Sequence, residues 1–279
     1  MNPKFFGKTL VKVFTKSLIR SENGMGNFFP RWLNWLPLQV VVALGIVGTL
    51  VAAAVAYTFT PKYTRVGYQP TQPIPFDHSI HAGQLGMDCR YCHSFVEESS
   101  HSNVPAAQVC WNCHGPGKVQ SENPKLEPLR AAMDESYEGY TGEPIKWVQI
   151  HETPDYAYFN HSVHVNRGVS CVECHGKINE MEVVHHDKSL SMSFCLDCHR
   201  APEKALRPLD QITNLDFTVE DVDKDAFYAE LAKKTGKTQE DFDQQAREWK
   251  LDWGQELMGK HLQQAWDVHP PQDCTTCHR

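Results

Sequence analysis

Ten cysteines and five of the fifteen histidines fall into one arrangement used five times. The copies are Cys89-x-x-Cys92-His93, Cys110-x-x-Cys113-His114, Cys171-x-x-Cys174-His175, Cys195-x-x-Cys198-His199 and Cys274-x-x-Cys277-His278. Two thiols so spaced, followed at once by an imidazole, make the pattern that attaches a c-type haem: the cysteines form thioethers with its vinyl groups and the histidine ligates the iron from one side. No cysteine is left over for a disulfide or a separate metal site. A zinc reading would need the cysteines to gather about four to each ion, and it gives no reason for a histidine after every pair. The motifs therefore predict five covalently attached haem c groups.

The other side of each iron needs a second ligand, and ten histidines remain to supply it. Residues 76–93 read FDHSIHAGQLGMDCRYCH and residues 159–175 read FNHSVHVNRGVSCVECH; a second attachment motif follows each. Residues 76–114 and 159–199 are thus two editions of one unit, each with two motifs and two additional histidines. His78 and His81, like His161 and His164, stand three apart and so share one side of a helical turn. A pair so placed reaches two haems at once and fixes their spacing. For the fifth distal ligand His151 ranks first; Met192 is next and would give a His/Met iron of raised potential. His185, His186, His101, His261 and His269 follow. An iron with both axial positions filled has no open place for a substrate, so it passes electrons. No Cys-x-x-Cys-Lys variant marks a haem with an open site, which argues against a multihaem reductase of small nitrogen or sulfur compounds.

The elements that position these residues are unevenly legible. Residues 1–36 place Lys4, Lys8, Lys12, Lys16 and Arg20 at every fourth position with apolar residues between, the pattern of a basic amphipathic segment at an anionic membrane surface. Residues 37–59 hold no charge and suffice for one transmembrane helix, which needs about 20 apolar residues. The run exceeds the apolar core of a cleavable signal peptide. Six basic residues precede it, which by the positive-inside rule puts the N-terminus in the cytoplasm and the haem domain in the periplasm of a bacterial inner membrane. Residues 60–75 are proline-rich and read as a linker, and 76–279 form the haem domain. Loops and short helices around the haems are expected there, with little periodic structure before residue 215. Residues 209–263 are a helical insert: Thr238-Gln-Glu-Asp241 is a helix start, and helices are predicted near 223–235 and 239–263. The net charge of −7 becomes −12 once the basic first 36 residues are set aside; such a surface argues against nucleic acid and suits a basic or neutral redox partner.

The chain resembles the pentahaem cytochrome c subunit of bacterial alternative complex III. The resemblance rests on FDHSIHAGQLGMDCRYCH, on VPAAQVCWNCH, on the run from HETPDYAYFNHSVHVNRGVSCVECHG through MSFCLDCHRAPEKALRP, on the single apolar N-terminal span and on five motifs. It implies an electron-transfer subunit, not catalytic alone, beside an iron–sulfur subunit and a polytopic quinol-binding subunit. Electrons would pass to a periplasmic cytochrome c or a terminal oxidase. A freestanding membrane-anchored quinol dehydrogenase feeding a periplasmic reductase is the alternative.

Overall fold

In a computed structural model, residues 30–58 and 65–278 are described. The basic repeat of residues 4–20 lies outside them, as does the start of the linker. The chain divides into two compact units at Thr58/Phe59.

In the first unit a 3₁₀ turn, Arg31–Trp35, runs into α1, Leu36–Thr58. Together they make one helix of 28 residues, long and apolar enough to cross a membrane. Its apolar residues cover all sides and none is buried within the chain, so no stripe is reserved for a protein core.

The second unit has short helices and loops and no named strand among the described residues; Val169 and Leu206 make an isolated bridge. The attachment motifs sit on α2 (Cys89–Cys92), α3 (Ala107–His114), α6 (Cys171–His175), α7 (Met192–Arg200) and α11 (Cys274–Cys277). Between them α4 spans Glu127–Met133 and α5 spans His161–Val165. Side-chain caps start three of the five motif helices: Asp88 accepts from the Arg90 N–H, Ser191 from Phe194 and Asp273 from Thr276. Such caps satisfy orphan N–H groups that a four-residue helix cannot satisfy internally. The first histidine pair meets a wider coil than an α-turn, for Ser79–Gln84 is π-helical.

The packed apolar core lies in the insert. There α8 (Lys224–Thr235), α9 (Gln239–Trp249) and α10 (Gln255–Ala265) enclose Phe227, Tyr228, Leu231, Phe242, Met258 and Leu262. The long helix expected over 239–263 is two helices. Lys250 takes a left-handed conformation (φ 56°) and ends α9. The reversal lets α10 return its Met258, His261 and Leu262 onto Tyr228 and Phe242, burial that an uninterrupted helix would forgo. The capping box of Thr238 and Asp241 is formed.

Candidate haem-binding site

The two repeats build the same local structure twice. His81 offers Nδ1 to the carbonyl of Asp77 at 2.8 Å, and His164 offers Nδ1 to the carbonyl of Asn160 at 2.7 Å. Phe76 stacks on His81 with centroids 4.3 Å apart, and Phe159 on His164 at 4.5 Å. The same phenylalanines meet His78 and His161 edge-on at 4.7 and 4.8 Å. One aromatic ring per repeat thus sets the attitude of two imidazoles. Its sequence signal is the Phe that recurs two residues before the first histidine of each pair.

Across from these rings stand motif histidines. His81 faces His114 with centroids 6.2 Å apart, His164 faces His199 at 6.1 Å, and His161 faces His175 at 6.3 Å. A metal–imidazole distance of about 2 Å on each side, with the ring radii added, calls for centroids roughly 6 Å apart. The three gaps match an iron between paired rings. The other ring nitrogens tell the same story. Nδ1 meets a backbone carbonyl in His93 (Asn103), His114 (Val119), His161 (Ser100), His199 (Pro271) and His278 (Tyr156), at 2.7–3.0 Å. An Nδ1–H donated to a carbonyl fixes the tautomer with its lone pair on Nε2, the arrangement of metal-ligating histidines. These acceptors are backbone atoms, so residue identity could not reveal them.

In His78, His161, His164 and His175 burial favours the neutral ring, which is the ligating form. Burial, then the charge of His93, lowers His78 to about 4. Burial, then His151, lowers His175 to about 3. Burial also lowers His161 and His164.

His78 has a buried Nδ1 with no hydrogen-bond partner among the described residues. His151 packs edge-on against His175 with centroids 4.3 Å apart, closer than an iron between those two rings requires. Its Nε2 is buried without a hydrogen-bond partner among the described residues. Burial, then His186, lowers it to about 4. His186 is 1% exposed, beside His151 at 5.2 Å. Met192 opens α7 and is 67% exposed. His261 is enclosed in the insert core, and His269 is an exposed partner of Asp267 at 2.9 Å. Among the described residues no three His, Cys, Asp or Glu side chains converge to hold a bare metal ion.

A family model for cytochrome c552 matches residues 130–279. The multihaem cytochrome c subunit of menaquinone reductase from Nitratidesulfovibrio vulgaris is 33% identical over 107 residues, 38% of this chain and 47% of that protein. Cytochrome c-552 from Desulfotalea psychrophila is 26% identical over 187 residues, 53% of this chain and 37% of that protein. The chain thus spans less than half the length of these curated relatives.

Proposed function

The chain belongs to the cytochrome c552 family, and from that premise we propose that it is a membrane-anchored pentahaem cytochrome c that relays electrons within a quinol-oxidising respiratory complex of the alternative complex III type. The haem c groups supply one-electron iron chemistry, and the chain's own residues attach them, hold their spacing and close their axial positions. Cys89 and Cys92, Cys110 and Cys113, Cys171 and Cys174, Cys195 and Cys198, and Cys274 and Cys277 make the thioethers. His93, His114, His175, His199 and His278 are the proximal ligands. His78, His81, His161 and His164 are distal ligands; His151 supplies the fifth, with Met192 the alternative.

The observation that carries the reading is the set of imidazole pairs about 6 Å apart with Nδ1 held by backbone. Irons closed on both faces pass electrons and do not bind substrate. The apolar helix of the first unit serves as the anchor, its basic side cytoplasmic and the haem domain periplasmic. One such helix is a poor quinol pocket, so a polytopic partner binds quinol and an iron–sulfur partner hands electrons to this chain. A periplasmic cytochrome c or an oxidase receives them.

Gentle detergent extraction, a native gel with haem stain and mass spectrometry of the stained band test this. Co-migration with polytopic and iron–sulfur subunits is the expected outcome. A lone haem protein that oxidises quinol would replace the reading with a freestanding dehydrogenase. The relative from N. vulgaris favours a second direction of flow, since its name is menaquinone reductase: the same relay would then deliver electrons towards quinone. Supplying the purified assembly with quinol or with reduced cytochrome c, and recording which drives turnover, separates the two.

A further inference from the structure

The attachment sites do not follow one another in space as they do along the chain. The first and third sites adjoin: Nδ1 of His161, whose ring faces His175, meets the carbonyl of Ser100, in the loop after the first motif, at 2.9 Å. Backbone seals this junction. His161 N–H donates to the Ser100 carbonyl and Ser162 N–H to Ser99, each at 3.1 Å, and the Asn166 amide reaches the Glu97 carbonyl at 2.8 Å. On the other side Ser79 N–H donates to the Met181 carbonyl at 3.2 Å, and Gly83 lies so close to the Asn179 carbonyl that a Cβ would collide with it. The two repeats therefore join through their first sites.

The second site lies beyond the first. His81, which precedes the first site and whose carbonyl accepts from the Met87 N–H at 3.0 Å, faces His114 of the second. The fourth lies beyond the third in the same way. His164, which precedes the third site and whose carbonyl accepts from the Val169 N–H at 3.1 Å, faces His199 of the fourth. The fifth adjoins the fourth: the Pro271 carbonyl holds Nδ1 of His199 at 2.7 Å, and the Gln272 amide reaches the His199 carbonyl at 3.4 Å.

We propose that the five sites stand in single file in the order 110–114, 89–93, 171–175, 195–199, 274–278, so that electrons enter and leave at the second and fifth motifs of the sequence while the first and third are interior. This rests on the reading that each motif carries a haem c. Passage along the file transfers one electron between neighbouring irons, with no bond made or broken, and the donor and acceptor are the redox proteins docked at its two ends.

Iron positions in a cryo-EM reconstruction of the haem-loaded chain within its membrane assembly test the order. The iron on His93 is expected to have those on His114 and His175 as its nearest neighbours, and the iron on His278 to be nearest that on His199. An iron on His114 closer to His175 or His199 than to His93 would overturn the file, as would one on His278 nearest any other site. Redox titration of two variants gives an independent readout. His81→Met alters the iron at the end of the file and is expected to shift the titration of one neighbour; His164→Met alters an interior one and is expected to shift two. The opposite pattern would remove the order. Loss of the quinol-binding partners would defeat the proposed complex, yet it would leave the iron order measurable.

Discussion

His81 is the residue at which distal ligation can be tested most cleanly, because it has a defined partner ring at 6.2 Å and its own carbonyl acceptor. In His81→Ala one iron loses its sixth ligand. A single high-spin signal by electron paramagnetic resonance, with carbon monoxide binding at one site, is the expected outcome. An unchanged low-spin spectrum would remove His81 from the ligand set. The same measurement decides the fifth position. His151, with its unpartnered Nε2, should open an iron on substitution by alanine, whereas Met192→Ala should leave the spectrum as it was; the reverse result assigns Met192. His261 is a different kind of histidine, buried against Tyr228, Phe242 and Trp249 at 5.2–5.3 Å. Burial, then Lys237, lowers it to about 4 from an ordinary 6.5. Between those values the unfolded chain binds more protons than the folded one, so stability is lost as pH falls from 6.5 to about 4. Melting temperature across that window should drop in the wild type and drop less steeply in His261→Phe.

Among the elements, α10 joins the helical insert to the segment that follows the fourth motif. Gly259 lies against the backbone of Glu203, so that a Cβ there would collide with its carbonyl, and the Gln255 side-chain amide donates to the carbonyls of Glu203 and Leu206 at 3.2 and 2.7 Å. Backbone cannot yield as a flexible side-chain tip can. Gly259→Ala is expected to cost about 2 kcal/mol, read as a fall of several degrees in the melting temperature of the haem-loaded protein. A melting temperature equal to the wild type's would show that the helix shifts freely. The insert and the repeats are thus one packed unit, and the fifth motif hangs on that packing, since His199 is held by Pro271 between α10 and α11.

For the whole molecule, charge is unevenly placed. Residues 209–273 hold 15 acidic against 7 basic side chains, eight of the twelve net negative charges that remain once the first 36 residues are set aside. They border the fourth and fifth motifs. Electron transfer to a basic monohaem cytochrome c should slow as ionic strength rises from about 10 mM to about 150 mM, because the Debye length shrinks from roughly 30 to 8 Å. Acceleration with salt, followed by stopped-flow absorbance, would point to a basic docking face instead.

The sequence by itself determined the chemistry. Motif spacing is local and independent of packing, so the chain alone marks ten cysteines and their five histidines as candidates for haem attachment, and it shows the doubled Phe-x-His-x-x-His unit. Composition was enough for the apolar helix as well, since a membrane-length run depends on residue content and not on neighbours. Tertiary structure decided what depends on distance across the chain. It set which imidazole faces which, through backbone carbonyls that have no sequence signature. It divided the second insert helix at Lys250, where burial of α10 outweighed local helical continuity. It brought the Ser100 carbonyl to Nδ1 of His161, a contact between residues 61 apart whose proximity no local pattern encodes.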